Sequence, residues 1–352
     1  MKFIHTADLH LDSVMEAKLS HEKARLRRKE LLLNFGAIAD LAEREGARAV
    51  LLSGDVFDTD HPASSAVRYL LDTIAAHPNV DFLMLYGNHA GSYRLSGESL
   101  PENLRFFGER EYTSYRYENV VISGSEDPGA ALPPLAEQDL NIVMLHGQIV
   151  EHRSGEDEID LSTLRDRMID YLALGHLHAP RIEKLDARGF YCYPGCPEGR
   201  GFDEVGEHGV VLLDTDGERL KKSFLPFARR ILHDLSVDVG AAESQHDVER
   251  IVFASLEKVR ESDLLRVRLI GERPAELLPD TLQLTAALEP KYFHVEIKNE
   301  TTVRVSLSEY ENDLSLRGEF VRTVLRLRLP KEEEGLILSA GLAVLSGEEV
   351  PF

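Results

Sequence analysis

At 352 residues, the chain is longer than one ordinary domain, and we expect a large domain followed by a small one. Its hydrophobic content of 43% and charged content of 29% are typical of globular proteins, and no stretch approaches the ~20 apolar residues of a membrane span. The formal net charge of −21 excludes a protein that holds DNA through a broad basic face. Any contact with nucleic acid must be local, metal-mediated or shared with a partner.

Two features indicate the cellular compartment. The N-terminal residues enter a strand pattern directly, without the apolar region of an export signal, so we expect a cytoplasmic protein. The only cysteines are Cys192 and Cys196, whose spacing is not C-x-x-C. A redox pair and a thiolate metal site are the functional interpretations, and two reduced thiols in a turn are the favoured one.

Strand-like and helix-like runs alternate over roughly the first 180 residues. Short apolar runs bounded by Gly, Asp, Asn or His predict strands at 2–7, 49–53, 80–86, 120–123, 141–145 and 171–174. Apolar residues at helical spacing predict helices within 22–45 and 64–76. This alternation is typical of α/β proteins, in which helices cover both faces of parallel or mixed sheets.

The second half of the chain has a different pattern. A strand is predicted at 209–214, and the large domain is expected to close near residue 230. Apolar and polar residues alternate at 265–269 and 293–297, which predicts half-exposed strands in a small α+β domain over 231–330. The apolar segment 331–352 is interpreted as either a partner-docking tail or a final edge strand.

Five polar clusters occur where predicted strands end. They are Asp8-Leu9-His10, Gly54-Asp55, Gly87-Asn88-His89, His146-Gly147 and Gly175-His176-Leu177-His178. Because neighbouring strands deliver their carboxyl ends to one sheet edge, side chains that are distant in sequence can converge there. Two Asp, one Asn and five His suffice to ligate two metal ions and leave one imidazole over. Such mixed oxygen and nitrogen ligands suit Mn²⁺, Fe²⁺ or Zn²⁺ better than Ca²⁺.

The spacing within these clusters suggests how ligands are shared. Asp55 is the natural bridge, because a carboxylate offsets the repulsion of two dications held ~3.5–4 Å apart. Asp8 and His10 are two residues apart, so both side chains of an extended segment can reach a single ion. His176 and His178 have the same spacing but can also divide between two ions. The pattern predicts a two-metal hydrolase.

These motifs resemble those of the calcineurin-like metallophosphoesterase superfamily. The resemblance rests on Asp8-x-His10, Gly54-Asp55-x-x-Asp58, Gly87-Asn88-His89, His146-Gly147 and Gly175-His176-x-His178, within about residues 1–215. Within the superfamily, segments 5–13 and 193–202 resemble the SbcD/Mre11-type DNA repair exonucleases, especially the YhaO-like branch. The resemblance implies a two-sheet α/β sandwich core over 1–230, with a small α+β cap.

The resemblance also implies ligand sets for two divalent ions, most readily Mn²⁺, with Fe²⁺ or Zn²⁺ as alternatives. One ion would be held by Asp8, His10, Asp55 and His178, and the other by Asp55, Asn88, His146 and His176. His89 would protonate the leaving oxygen, and its alternative role is a structural histidine beside the ligands. The family motif usually continues with Asp where this chain has Ala90. An acid such as Asp127 or Glu98 could compensate, and without one the general-acid step would slow.

Two basic features could contact substrate. Arg200, in a glycine-rich loop, is predicted to clamp a phosphate bidentately. The basic run Lys23-Ala24-Arg25-Leu26-Arg27-Arg28-Lys29 points several ways around a helix and is better interpreted as a solvated face paired with acids elsewhere.

The leading functional hypothesis is a DNA phosphodiesterase. The resemblance implies a nuclease subunit that acts with an SbcC/Rad50-like coiled-coil ATPase and forms a homodimer. Such a partner would reconcile DNA binding with the acidic charge. One alternative is a phosphodiesterase or phosphatase acting on nucleotides or other small molecules. The other is a weakly active metal-binding scaffold, which Ala90 would favour.

Overall fold

The chain divides into two compact units, Met1–Ile231 and Leu232–Phe352. The computed structural model describes residues 1–15, 19–88, 95, 98–155, 157–215, 220–274, 276–304, 310, 313–345 and 347, without the side chains of residues 331, 332, 339 and 343. The three-part division at residues 230 and 330 stays a prediction.

The first unit is built mainly from strands. They are β1 (Lys2–Thr6), β2 (Ala47–Ser53), β3 (Asp81–Leu85), β4 (Leu104–Phe106), β5 (Thr113–Tyr117), β6 (Val120–Gly124), β7 (Leu140–His146), β8 (Gln148–Val150), β9 (Glu158–Asp160), β10 (Tyr171–Gly175), β11 (Arg181–Lys184), β12 (Phe190–Tyr193), β13 (Gly209–Thr215) and β14 (Leu220–Pro226). Each strand predicted from an apolar run is present within one or two residues, because these runs are buried on both faces of their sheets.

Twelve of these strands form two six-stranded sheets. The first has the order β14-β13-β1-β2-β3-β4, with β1 to β4 parallel and β13 and β14 antiparallel. The second has the order β11-β12-β10-β7-β6-β5, with β6, β7, β10 and β12 parallel and both edge strands antiparallel. The parallel centre of each sheet therefore presents several strand carboxyl ends along one edge.

The two sheets pack face to face. Phe3, Leu51 and Leu83 of the first sheet share one buried cluster with Ile142 and Tyr171 of the second. Alternate residues of the first sheet point the other way and bury against helices, as strand periodicity requires. The predicted two-sheet α/β sandwich is confirmed.

Two helices cover the outer face of the first sheet: α1 (His21–Glu45) and α2 (Ser64–Ala76). The Ser20 side chain caps the first turn of α1 by accepting from the Lys23 amide, and Gly46 ends it in a left-handed conformation, φ 65°. Among the described residues, the outer face of the second sheet packs against the segment around a short 3₁₀-helix, Leu161–Thr163. Helices therefore do not lie on both faces of each sheet, because the sheets cover each other.

The second unit alternates strands with helices. Its elements are β15 (Leu232–Asp238), α3 (Gln245–Ser255), β16 (Leu264–Ile270), β17 (Glu272–Arg273), α4 (Thr281–Leu288), β18 (His294–Asn299), β19 (Thr302–Val303), α5 (Leu316–Arg326) and α6 (Lys331–Leu345). The sheet β15-β16-β18 is parallel, and α3 and α4 bury one of its faces. Helices and strands alternate along this unit because parallel neighbouring strands need crossover connections.

The C-terminal segment is helical rather than an edge strand. Helix α6 packs on α5 through Val321, Val324, Leu338 and Leu342. Its apolar residues recur at helical spacing, which a partner helix can bury as well as a sheet can. In the part of the chain that the structure describes, no helix is long and apolar enough to cross a membrane.

Candidate metal centre

The first sheet brings two of the polar clusters together at the ends of β1 and β2. The Asp8 amide donates to the Gly54 carbonyl over 3.1 Å, and the His10 amide donates to the Asp55 carbonyl over 3.1 Å. The Asp55 amide in turn donates to the carbonyl of Tyr86, which follows β3, over 3.0 Å. The ladder thus continues past the strands and fixes the loops that carry Asp8, His10 and Asp55.

The second sheet contributes from β7 and β10. His146 is the last residue of β7 and pairs with Gly175, the last residue of β10. The His176 amide donates to both carboxylate oxygens of Asp8, over 2.9 and 3.2 Å. The strand ends of both sheets therefore meet at one place, which is the convergence that the sequence predicted.

Four of the seven predicted ligands have left-handed backbone. The φ angles are 53° for Asp8, 45° for His10, 49° for Asp55 and 113° for His176. Such conformations cost roughly 1–3 kcal/mol each and persist where surrounding structure enforces them, commonly at functional sites. The surrounding structure therefore holds these four residues in unfavourable backbone conformations, as is common at functional sites.

One donor group consists of Asp8, His10 and His178, whose ligand atoms lie within 4.8 Å of one another. The Nε2 atoms of His10 and His178 face each other at 3.2 Å. Nδ1 of His10 lies 2.5 Å from Asp58 Oδ1, and Nδ1 of His178 lies 2.6 Å from Glu204 Oε1. Because each Nδ1 faces a carboxylate, both Nε2 atoms direct lone pairs at the same point, where a cation fits.

A second donor group consists of Asp8, Asp55 and His146, all buried. Nε2 of His146 lies 3.2 Å from Asp55 Oδ2 and 3.0 Å from Asn88 Oδ1. On the other side of the ring, Nδ1 donates to the Ser53 carbonyl over 2.8 Å. This hydrogen bond leaves the Nε2 lone pair facing two oxygen acceptors, an arrangement that a cation between them satisfies.

His176 completes the cluster. Its ring centroid lies 5.7 Å from that of His146, and its Nδ1 is buried without a hydrogen-bond partner among the described residues. Buried polar atoms without partners are rare and point to an ion or water that is part of the site. The donor set therefore fits two ions ligated by carboxylate, amide and imidazole.

The electrostatics of the site favour a bound cation. Burial raises the pKa of the Asp8 carboxyl to about 7, with Asp55 adding to the shift and His146 opposing it. Burial lowers the pKa of His146, but the hydrogen bond and charge of Asp55, together with Asp8, outweigh it and raise that pKa to about 9. Two carboxylates buried this closely are unfavourable as anions unless positive charge lies between them.

Gly87 allows Asp55 its position. With φ +82°, a Cβ at Gly87 would meet Asp55 Oδ1 at 2.3 Å and the Asp55 amide at 2.4 Å. We expect Gly87→Ala to weaken Mn²⁺ binding at least tenfold by displacing the Asp55 carboxylate, in addition to backbone strain of roughly 1 kcal/mol. Isothermal titration with Mn²⁺ measures the first effect and urea unfolding of the metal-free protein the second.

Gly206→Ala is the matched control, because Gly206 has φ +97° and nothing within 4 Å of its Cβ position. It should show the strain without the loss of affinity. Equal Mn²⁺ affinities in the two variants would contradict the steric role of Gly87.

Several predicted residues lie elsewhere or outside the described structure. His89 and Ala90 are outside the described residues, so the proposed general acid stays a prediction. Asp127 pairs with Arg153 at 3.5 Å, and Glu98 is exposed. Cys192 lies in β12 rather than in the predicted turn, both cysteines are buried free thiols, and burial raises the pKa of Cys192 to about 12.

Arg200 lies beside the cluster with its guanidinium already paired. It contacts Asp58 at 3.1 Å and Glu204 at 2.8 Å. The sequence pattern predicts no role for either acid. Asp58 was visible within the Gly54-Asp55-x-x-Asp58 motif, but Glu204 carried no spacing signal, since it reaches His178 only through the fold.

Residues 1–180 match the sequence model of the calcineurin-like phosphoesterases. The chain is 26% identical over 303 residues to the uncharacterized metallophosphoesterase YhaO of Bacillus subtilis, covering 79% of this chain and 74% of that protein. It is 24% identical over 300 residues to the DNA double-strand break repair protein Mre11 of Sulfolobus acidocaldarius, covering 78% and 76%.

A third relative is the SbcD component of the nuclease SbcCD of Staphylococcus epidermidis, 24% identical over 361 aligned positions that cover 89% of this chain and 93% of that protein. A dimetal phosphatase from Danio rerio superposes with a TM-score of 0.41 and 12% identity, over 63% of this chain and 95% of that one. The superfamily, its SbcD/Mre11-type relatives and the hydrolase class predicted from the motifs are confirmed. The protein belongs to the calcineurin-like phosphoesterase family, whose members bind two divalent metal ions.

Proposed function

We propose that this protein is a two-metal phosphodiesterase that hydrolyses DNA. The observation that carries the proposal is the opposed pair of imidazoles, His10 and His178, whose Nε2 atoms lie 3.2 Å apart beside Asp8 at the meeting of two sheet edges. That arrangement supports metal-dependent hydrolysis. The substrate class is supported by relatives named for nuclease activity and DNA double-strand break repair.

The two donor groups, which have Asp8 in common, support in part the ligand sets that the resemblance implies, because one contains Asp8, His10 and His178 and the other contains Asp55 and His146. Asp8, His10, Asp55 and His178 would hold one ion, and Asp55, Asn88, His146 and His176 the other. Two divalent ions held there would acidify a bound water and would neutralise the charge that develops on a phosphodiester, with Mn²⁺ the proposed metal.

The protein's own residues orient the reaction. Asp55 would be the ligand shared by the two ions, and the carbonyl of Ser53 accepts from Nδ1 of His146, which turns Nε2 of that ring toward Asp55 and Asn88. His89, adjacent to the ligand Asn88, would donate a proton to the leaving oxygen. Because Ala90 stands where the family motif has Asp, the His89 ring would lack its carboxylate partner, and proton donation would be the slow part of turnover.

The partner proposal follows from charge and from the C-terminal helices. A net charge of −21 leaves DNA affinity to be supplied by another subunit, which we propose to be a coiled-coil ATPase of the SbcC/Rad50 kind, bound to a homodimer of this chain. Between α5 and α6 lies an apolar groove of about 510 Å³, with Leu316 and Leu336 more than 70% exposed. An amphipathic helix of the ATPase would bury these side chains. A coiled-coil ATPase gene beside this one would support the assignment.

The direct test is a Mn²⁺-dependent nuclease assay on linear duplex and single-stranded DNA. We expect cleavage of DNA that chelation with EDTA abolishes and Mn²⁺ restores. Ala90→Asp should raise the rate by up to ~10²-fold, at the low end of what a positioned acid–base group contributes, because a carboxylate would fix the His89 tautomer.

Bis-p-nitrophenyl phosphate separates the alternatives. Turnover of this ester without DNA cleavage by the Ala90→Asp variant would point to a small-molecule phosphodiesterase. Two bound metal ions with negligible turnover of either substrate in both forms would point to a scaffold.

A further inference from the structure

We infer that Arg200, Asp58 and Glu204 form a single positioning unit for the ion held by His10 and His178, and that Arg200 acts on the metal site rather than on substrate phosphate. This inference rests on the proposed function. Side chains from two loops make the unit, Asp58 from the loop after β2 and Arg200 with Glu204 from the loop after β12, and their contacts converge on the same pair of imidazoles.

Asp58 orients His10. Its Oδ1 lies 2.5 Å from Nδ1 of His10, a ring that is fully buried. The Asp58 amide donates to Asp12 Oδ1 over 2.6 Å, which fixes the loop that carries the carboxylate. A histidine whose Nδ1–H is held by a carboxylate presents Nε2 to a metal in one orientation and with raised basicity.

Glu204 orients His178 in the same way. Its Oε1 lies 2.6 Å from Nδ1 of His178, and the residue is 6% exposed. Its other oxygen, Oε2, accepts from the Arg200 amide over 2.6 Å. Both imidazoles of this ion therefore have a carboxylate at the same ring position, although the two acids come from different parts of the chain.

Arg200 joins the two acids. Nη1 donates to Asp58 Oδ1 over 3.1 Å, while Nη2 and Nε donate to Glu204 Oε1 over 2.8 and 3.2 Å. The guanidinium fork matches this geometry because its donors are rigid and planar, which a lysine ammonium cannot reproduce. The Arg200 guanidinium thus fixes the position of the two carboxylates relative to each other. Through them it fixes the 3.2 Å separation of the two Nε2 atoms.

The loop that carries Arg200 is itself anchored. Glu198 is buried and accepts from Arg27 over 2.6 Å and from Asn34 over 3.0 Å, both on α1. The Gly199 carbonyl accepts from Arg27 over 2.6 Å. Arg200 lies on a fixed loop and its guanidinium donates to two carboxylates, so it is placed to position the side chains beside it. An arginine that binds phosphate bidentately needs free N–H groups on its guanidinium.

The test is a Mn²⁺ titration of the purified protein, followed by electron paramagnetic resonance of unbound Mn²⁺. For Arg200→Met we expect one of two sites to weaken by ~10–100-fold and the other to keep its affinity. Arg200→Lys should weaken the same site less. Glu204→Gln should weaken it too, and combining Glu204→Gln with Arg200→Met should add less than the sum of the two losses.

Arg188→Met is the matched control, since Arg188 pairs with Asp170, which precedes β10 at the end opposite His176. It should leave both affinities unchanged. Urea unfolding of each metal-free variant shows that the fold is retained.

The outcomes separate the two proposals. Wild-type protein that binds fewer than two Mn²⁺ ions would overturn the proposed function together with this inference. Two normal affinities in Arg200→Met, with only the KM for DNA raised, would overturn the inference alone and restore Arg200 as a phosphate clamp. Equal weakening of both sites would also overturn it, because the unit contacts the imidazoles of one ion.

Discussion

Replacing Asp55 with asparagine is expected to lower the turnover number for bis-p-nitrophenyl phosphate by about 10³-fold or more. Asp55 is 1% exposed, and its Oδ2 lies 3.2 Å from His146 Nε2. In the proposed assignment it is the ligand shared by both ions, so an amide would remove the anion that offsets their repulsion. The measurement is kcat at saturating Mn²⁺, paired with metal content by mass spectrometry.

Asp139→Asn provides the comparison. Asp139 precedes β7 at the end opposite His146 and is itself buried, and it pairs over 2.6 Å with the exposed side chain of Arg116. This variant should keep both metal content and turnover. A full complement of two ions with normal kcat in Asp55→Asn would contradict the bridging role.

Replacing Arg27 with methionine is expected to destabilise the protein by about 3 kcal/mol. Arg27 and Glu198 are both about 1% exposed and lie 2.6 Å apart, with Glu30 at 2.9 Å from the same guanidinium. In the methionine variant the buried Glu198 carboxylate would keep the Asn34 side chain and two backbone amides as donors. It would lose its positively charged partner, which is the reason for the large expected loss of stability. Urea unfolding of the metal-free protein measures the change in the free energy of unfolding.

Arg116→Met is the control for exposure. The Arg116–Asp139 pair has the same kind of contact at 2.6 Å, but its arginine side chain is 58% exposed. An ion pair whose guanidinium is open to solvent contributes little to stability, so this variant should lose much less stability than Arg27→Met. If the two variants lose equal stability, the buried network of Arg27 does not hold the 194–202 loop to α1.

The sequence was sufficient to predict the core strands and the place where the ligand clusters meet. Strand runs such as β7 and β10 are continuous apolar segments, and His146 and Gly175 mark their ends. Neighbouring parallel strands must end at the same edge of the sheet. Polar clusters at the ends of apolar runs therefore predict side chains that lie close together in space. The convergence of Asp8, Asp55 and His146 follows from this rule, although the assignment of ligands to ions stays a proposal.

Features that depend on long-range contacts could not be predicted in this way. Glu204 reaches His178 from 26 residues away, and Arg27 reaches Glu198 from 171 residues away. The basic run 23–29 was interpreted as a solvated face, which suits exposed Arg25 and Arg28 but not buried Arg27. Nothing in the spacing of charges along a helix shows which of them meets a buried acid after folding.

The left-handed backbone at Asp8, His10, Asp55 and His176 has a consequence for any effort to make this protein more heat-resistant. Glycine at these positions would relieve backbone strain while deleting a proposed ligand, so we expect some substitutions that favour folding to eliminate catalysis as well. A library selected for thermal tolerance alone would therefore accumulate inactive variants at these four positions. Selection in the presence of limiting Mn²⁺ would reverse that tendency, because only proteins that keep their ligands gain stability from the ion.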